Sequence, residues 1–326
     1  MIDNLLHIIN VFLTLVKVFY FCTIASIKAL LPVGFLPKKD VKGEVVLITG
    51  AAQGLGRELA RRFASLKARL ILWDINENGL IELRNELEAQ NVEVHIDKVD
   101  LSNKDEIRTL SRRVIKDFHH VDILVMNAGI VNGKLLTETS EDAIERCMKV
   151  NALSHMYMLK HFLPSMVSAN KGHIVSVASI AGFLVTHRMV DYCASKFAAV
   201  GICQSIAEEL RASGINDIKT TLVCPGLITT GLFEGFHIPS SAMPPLSPEY
   251  VADRIMEAIL TEADFVSMPK FCYLAIFAKG LLPTAAIQAV NDLFGVTHCM
   301  SGFIGREKKG ARNERRNGNE EVHHHE

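Results

Sequence analysis

Hydrophobic and polar positions divide the chain into three zones. The first, residues 1–37, is apolar nearly throughout, with Leu5 to Leu13 and Val18 to Ile24 broken by Lys17 and Lys28. No uncharged run in it reaches the roughly 18 residues of a plain membrane-spanning helix. Lys17 and Lys28 lie about three helical turns apart and share a face, with Asn10 near the same line. The pattern predicts one hydrophobic helix, either a tilted span with snorkelling lysines or a helix lying in the interface. A cleaved signal peptide fits less well, because no basic region precedes the apolar stretch. Pro32 and Pro37 close the segment. Lys38, Lys39 and Lys42 follow, which puts the remainder on the cytosolic side of an inserted helix.

The second zone, residues 42–269, alternates short β-branched runs with helix-period segments. Strands are predicted at Val45–Ile48, Arg69–Trp73, Val92–Val99, Ile123–Met126, His173–Val177 and Lys219–Val223. Helices are predicted near Leu55–Leu66, Asn76–Ala89 and Lys104–Asp117, with a long helical stretch after Met126. Strands joined by helices need crossover connections. The expected fold is therefore α/β: a single Rossmann-type domain, a doubly wound parallel sheet covered on both faces, behind an N-terminal hydrophobic helix. Residues 270–305 form an apolar extension. Its Phe271–Phe277 stretch suits a pocket wall, a second membrane contact or plain core packing. Residues 306–326 are rich in Arg, Lys, Glu, Asn and Gly and are expected to be disordered; His323, His324 and His325 have no partner ligands for a metal.

Composition narrows the function. The formal charge is −1 and no concentrated basic face is visible, so a nucleic-acid partner is not expected. The seven cysteines are scattered, with neither CxxC spacing nor Cys/His ligand spacing, and read as reduced, mostly buried thiols facing the cytosol; no metal site is expected.

Two places carry chemistry. Thr49-Gly50-Ala51-Ala52-Gln53-Gly54-Leu55-Gly56 lies between the first strand and the first helix that follows it. Gly50, Gln53, Gly54, Leu55 and Gly56 can bring backbone N–H groups and a helix N-terminus to a pyrophosphate. Asp74 ends the next strand, where a carboxylate can accept both ribose hydroxyls of NAD and repel a ribose phosphate. The alternative is a helix N-terminal acid. Asp100 and Leu101 follow the third strand, and Asn127, Ala128 and Gly129 the fourth. Both segments suit the adenosine side of the cofactor, with helix capping by Asp100 or Asn127 as the plainer reading. Gln53 is neutral, and Arg57 and Arg61 sit beyond the loop, which favours NAD over NADP.

The second place is Tyr192-Cys193-Ala194-Ser195-Lys196. At i and i+4 on a helix the phenol and the ammonium share a face. The ammonium favours the phenolate and draws an ordinary pKa of about 10 toward working range. Taken alone, such a pair is usually surface packing. Ser179, with Ser176 as its rival, ends the preceding strand and can hold a substrate oxygen, and Asn151 can complete a proton relay through water.

Taken in order, Thr49–Gly56, Asp74, Asp100, Asn127–Gly129, Asn151, Ser179, Tyr192, Lys196 and Pro225-Gly226 resemble the short-chain dehydrogenase/reductase family over about residues 43–268. The resemblance implies Asn151, Ser179, Tyr192 and Lys196 as a catalytic tetrad, and its spacing prefers Ser179 to Ser176. It further implies that Tyr192 and Lys196 also hold the nicotinamide side, that Pro225 belongs to the cofactor site, and that Ile228 and Thr230 contact the nicotinamide amide. Met126 departs from the family, which often carries a second Asn there. Leu72–Asn76, Asp191–Ala199, Gly231–Gly235, the apolar N-terminus and Gly302-Phe303 are similar to the membrane-associated branch. That branch holds epidermal-type retinol dehydrogenases and 17-beta-hydroxysteroid dehydrogenases of the lipid-droplet type. It implies a lipophilic alcohol or carbonyl as substrate, attachment to endoplasmic reticulum or lipid droplet through the N-terminus, and a homodimer. An NADP-dependent carbonyl reductase and a non-catalytic lipid-droplet surface protein are the rival readings. The loop from Leu227 to about Leu246, with Leu232, Phe233, Phe236, Ile238 and Met243, is expected to form an apolar lid.

Overall fold

A computed structural model describes residues 2–30, 34–237 and 244–305. Ile238 and Met243 of the expected lid, Pro32, and the tail from residue 306 lie outside the described residues.

The chain divides into two compact units, residues 1–39 and 40–326. In the first, α1 (Ile2–Leu30) is one uninterrupted helix of 29 residues, about 43 Å long. Its Leu6–Ile24 stretch has a mean hydropathy of 1.7 and buries none of its surface. By length and composition it can cross a bilayer core of about 30 Å.

The second unit runs β1 (Val45–Thr49), α2 (Gly54–Ser65), β2 (Arg69–Asp74), α3 (Glu77–Glu88), β3 (Val94–Lys98), α4 (Lys104–Phe118) and β4 (Ile123–Met126). It continues with α5 (Glu141–Met148), α6 (Ser154–Ala169), β5 (Gly172–Val177), α7 (Val190–Ala212), β6 (Ile218–Pro225), α8 (Pro248–Leu260), β7 (Phe265–Met268), α9 (Phe271–Leu281) and α10 (Thr284–Leu293). The strands form one sheet in the order β3-β2-β1-β4-β5-β6-β7. Every pairing is parallel. This is the doubly wound architecture expected from the alternation. The connection reverses direction between β1 and β4, which opens a crevice at the carboxyl ends of those two strands.

Strand alternation splits the core. Val46 and Ile48 of β1 join Leu59 and Phe63 of α2, Leu83 of α3 and Ile255 of α8 on one face. Val45 and Leu47 join Ile107 of α4 and Met158 and Phe162 of α6 on the other. Trp73 is fully buried against Phe162, ring centroids 6.0 Å apart, and its indole N–H donates to Asp97 Oδ2 at 3.0 Å. A seventh strand, β7, extends the sheet beyond the six expected ones. It carries only Phe265-Val266-Ser267-Met268 between Asp264 and Pro269, too short a run to register by period.

The Phe271–Phe277 stretch becomes α9. It seats Cys272 inward and leaves Leu274 and Phe277 exposed. Tyr273 packs on Phe265, 5.3 Å between centroids, and its hydroxyl accepts from the Ser267 N–H at 3.0 Å. The apolar cluster around Tyr192 includes no residue of α9 among the described residues.

Candidate active site

The glycine loop follows β1 at the crevice. Gly50 has φ +67°, and a Cβ there would stand 2.9 Å from Ala128 Cα. A Cβ on Gly56 would stand 2.1 Å from the Gly50 carbonyl oxygen. The chain folds back on itself here so tightly that no side chain fits. Across the crevice, Asn127 donates from Nδ2 to the Thr49 carbonyl at 2.9 Å, while the Thr49 hydroxyl accepts from the N–H groups of Asn127 and Ala128 at 3.0 and 3.1 Å. Asn127 therefore clamps the β1 loop and caps no helix.

The N-terminus of α2 differs from its neighbours. α3, α4, α5 and α8 each begin with a side-chain cap (Asn76, Asn103, Ser140 and Ser247) and carry acidic residues in the first turn. α2 has neither: Gln53 stands at its N-cap, exposed and without a capping bond. Its first N–H groups and the positive end of its dipole are suited to a phosphate.

Asp74 sits at the end of β2. Its Oδ2 accepts from the Ala52 N–H of the glycine loop at 3.0 Å, and its Oδ1 from the Asn76 N–H at 2.9 Å. Asn76 itself is the cap of α3, so Asp74 braces both the glycine loop and the residue that starts that helix. Asp100 is different. Its Oδ1 accepts from the N–H and hydroxyl of Ser102 at 2.9 and 2.8 Å, a turn that leads into α4, whose cap is Asn103. Leu101 is buried in the core between the sheet and α4, so only its main chain can meet a ligand.

On α7, Tyr192 and Lys196 lie on one face as their spacing requires, with the ammonium 5.7 Å from the phenol ring centroid. Lys196 Nζ donates to the Val177 carbonyl at 3.0 Å. A Cβ on Gly129 would stand 3.5 Å from both Lys196 Nζ and Asn151 Oδ1, so Gly129 keeps open the space between β4 and the lysine. Ser179, just past β5, lies near enough to the Tyr192 hydroxyl to draw it downward against burial; it accepts from the Ala181 N–H at 3.1 Å and donates weakly to the Pro225 carbonyl at 3.5 Å. Ser176 instead pairs with the buried His155 ring at 3.2 Å. Pro225 ends β6. Ile228 then bridges to Leu246, and the Thr230 N–H donates to the Ile228 carbonyl at 2.9 Å.

Asn151 lies in a π-helical turn, Lys149–Leu153, between α5 and α6. Such turns often mark functional sites. Its carboxamide is fully engaged: Nδ2 donates to the Ile130 carbonyl and to Ser195 Oγ, both at 2.9 Å, and Oδ1 accepts from the Ile130 N–H at 2.9 Å. Ser195 passes the contact on to the Tyr192 carbonyl at 2.7 Å. The side chain thus ties the π-turn to Ile130 and, through Ser195, to the turn of α7 that carries Tyr192. Burial pushes the Tyr192 hydroxyl well above the usual phenol range, with the Ser179 hydrogen bond acting the other way. Burial also pulls Lys196 down to about 8, against the neighbouring thiols of Cys147 and Cys224. Desolvation is the leading cause for both groups in this closed site.

Closure comes from above. Tyr192 is 3 % exposed. Phe233, from the loop after β6, meets its ring edge-on at 5.6 Å and stacks in turn on Phe236. Cys299 and Met300, near the end of the described chain, complete the same apolar cluster with Phe303. Asp191, buried beside Tyr192, accepts from Asn132 Nδ2 at 2.5 Å. Sequence reasoning gave roles to neither Asp191 nor Asn132, because an isolated Asp and Asn carry no spacing signal.

Comparison with known proteins agrees with this geometry. A family model described as short chain dehydrogenase matches residues 44–237. The chain is 43 % identical over 275 residues to short-chain dehydrogenase/reductase family 16C member 6 of Bos taurus, covering 84 % of this chain and 87 % of that protein. It is 42 % identical over 287 residues to human epidermal retinol dehydrogenase 2, covering 87 % and 92 %. Among solved structures, a short chain dehydrogenase/reductase from Burkholderia phymatum in complex with NAD matches with a TM-score of 0.66 at 28 % identity, covering 77 % of this chain and 96 % of that one. A metagenomic short-chain oxidoreductase in complex with NADP matches with a TM-score of 0.59 at 29 % identity, covering 70 % and 96 %.

Proposed function

The chain belongs to the short-chain dehydrogenase family, and from that membership we propose an NAD-dependent oxidoreductase that acts on a lipophilic alcohol of the retinoid or hydroxysteroid class. The observation that carries this reading is the convergence of Ser179, Tyr192 and Lys196 beside the crevice of β1 and β4, beneath an apolar cover. Two of the similar proteins named above or related to them, human epidermal retinol dehydrogenase 2 and human retinol dehydrogenase 10, the latter 38 % identical over 310 residues, support the substrate class.

The pyrophosphate is assigned to the main chain of Gly50 and Gln53–Gly56, the adenosine to Asp74, Asp100, Leu101 and Asn127–Gly129, and the nicotinamide side to Tyr192, Lys196, Pro225, Ile228 and Thr230. When bound, the nicotinamide supplies the hydride acceptor. Ser179 holds the substrate oxygen, Tyr192 takes the hydroxyl proton, and Lys196 favours the phenolate. Asn151, through Ser195, keeps the turn in place.

NAD is preferred on charge. Asp74 stands at the ribose position, and the cations that might receive a phosphate are committed elsewhere. Arg61 donates to both oxygens of Glu86 at 2.6 and 2.9 Å, and Arg57 to Glu86 at 3.1 Å. Asp74→Ala is expected to weaken NAD binding about tenfold, with NADP binding held or improved. Titration by quenching of protein or cofactor fluorescence measures both; equal losses remove Asp74 from the ribose. The function itself is tested by presenting retinols, hydroxysteroids and fatty alcohols with NAD and following NADH. Turnover only of carbonyls with NADPH would replace this reading by a carbonyl reductase.

Helix α1 is read as the membrane anchor, with Lys38, Lys39 and Lys42 placing the catalytic unit on the cytosolic side of endoplasmic reticulum or lipid droplet. Deleting residues 1–36 is expected to move the protein from the membrane pellet to the supernatant; sedimentation of the truncated chain shows that α1 is not the sole anchor. A homodimer is read onto α6 and α7, where a cleft of about 880 Å³ is lined by Leu159, Leu163, Ile202 and Ile206.

A further inference from the structure

The cover over Tyr192 has two parts that are far apart in sequence. One is the loop after β6, residues 231–237. The other is the strap, residues 296–305. They are laced by main-chain bonds. The His237 N–H donates to the Cys299 carbonyl at 2.9 Å, and the N–H groups of Ile304 and Gly305 donate to the Glu234 carbonyl at 2.8 and 3.2 Å. They approach so closely that a Cβ on Gly235 would stand 2.0 Å from the Gly302 carbonyl oxygen.

The strap is anchored separately to the body of the domain. The Thr186 hydroxyl donates to the Val296 carbonyl at 3.1 Å. Phe303 lies directly on Gly133, where a Cβ would stand 2.1 Å from the ring. Gly133 belongs to the segment leaving Asn127–Gly129, which Asn132 pins to Asp191 and Arg188 holds through the Gly133 carbonyl at 3.3 Å. The strap is therefore tied to the loop that presses Phe233 on Tyr192, and its seat is tied to the residue next to Tyr192.

We propose that Phe303, seated on Gly133, is a specificity-determining residue. It fixes the strap as the far wall of the substrate site and so sets how the cover closes on a bulky apolar alcohol. This rests on the dehydrogenase reading and deepens it. A large substrate must displace Phe233 to reach the phenol, and the strap is the surface against which the displaced loop and the substrate's apolar body can pack. A small alcohol needs little of that wall.

The test is Phe303→Ala, with Gly133→Ala as an independent route to the same unseating and Phe303→Leu as the conservative variant. Each is compared by thermal melting and NADH fluorescence to establish a folded, cofactor-binding protein. In Phe303→Ala the ratio of kcat/KM for a retinol to that for a short aliphatic alcohol is expected to fall about tenfold, mostly through KM. Gly133→Ala should give the same fall, and Phe303→Leu should restore most of it. Amide hydrogen exchange at His237 and Ile304 should quicken in the first two variants and not in the third. An unchanged ratio with quickened exchange overturns the specificity role and leaves Phe303 purely structural. Unchanged exchange overturns the strap as the loop's support. If the unaltered protein oxidises neither alcohol, the dehydrogenase reading fails on its own evidence, and the exchange result still decides whether the strap holds the loop.

Discussion

Replacing Tyr192 by phenylalanine is expected to cut alcohol oxidation by about 10³-fold while leaving the fold and NADH binding nearly intact. The ring stays: its edge-on contact with Phe233 at 5.6 Å and its place in the apolar cluster with Met189 and Met300 need no hydroxyl. Only the proton acceptor and the Ser179 hydrogen bond are lost. The pH dependence separates this from a packing defect. Burial holds the phenol in its protonated form well into the alkaline range. Oxidation needs the deprotonated form as a base, so wild-type oxidation should climb as pH rises. Reduction of the carbonyl needs the protonated form as an acid and should decline over the same range. Lys196, itself drawn down to about 8, carries its positive charge at neutral pH and loses it above that value, so whatever help it gives the phenolate is confined to the neutral end of the range. The phenylalanine variant should lose that slope along with its rate. Steady-state NADH formation across neutral to alkaline pH measures both. A variant that turns over like the wild type, or that supports the protein's cellular effect unchanged, transfers the argument to a non-catalytic role at a lipid surface.

What the sequence made legible was local in origin. The strand–glycine–helix junction at Thr49–Gly56 and the Tyr192–Lys196 pair depend on neighbours within one turn or one loop, and residue order alone reveals them. Asp74 was legible because it ends a strand whose partner is the glycine-loop strand. Tertiary quantities were not legible. Whether Asp100 or Asn103 caps α4 turns on a three-residue shift of the helix start, and both types cap well. The π-turn at Asn151 differs from an α-helix by the span of a few main-chain bonds and leaves the hydrophobic period almost unchanged. The proton balance of Tyr192 and Lys196 depends on how much water the finished fold excludes, a sum over Phe233, Cys299, Met300 and others that no spacing encodes. The strap was visible only as a Gly302-Phe303 resemblance, because its partners, Gly133 and Glu234, are distant along the chain.

The cofactor loop allows the other large prediction. Gly56→Ala is expected to weaken NADH binding by about 10- to 100-fold, where most glycine-to-alanine changes within a helix are neutral or stabilising. The cause is a single contact: the new methyl would lie 2.1 Å from the Gly50 carbonyl oxygen and 2.7 Å from Asn127 Nδ2. Neither neighbour can yield cheaply. Gly50 is main chain held at φ +67°, and its N–H donates to the Trp73 carbonyl at 2.8 Å. Asn127 is the clamp between β1 and β4. The loop must therefore move away from the start of α2, and the N–H groups that would face a pyrophosphate move with it. Buried methyl crowding of this kind costs about 1–3 kcal/mol, which corresponds to the stated loss at about 1.4 kcal/mol per decade. Gly280→Ala in α9 is the matched control: a Cβ there meets nothing within 4 Å, so binding should be unchanged and the melting temperature equal or higher. Fluorescence titration with NADH and thermal melting of both variants give the comparison. If Gly56→Ala melts like the wild type and binds NADH as tightly, this loop is not where the cofactor's phosphates sit.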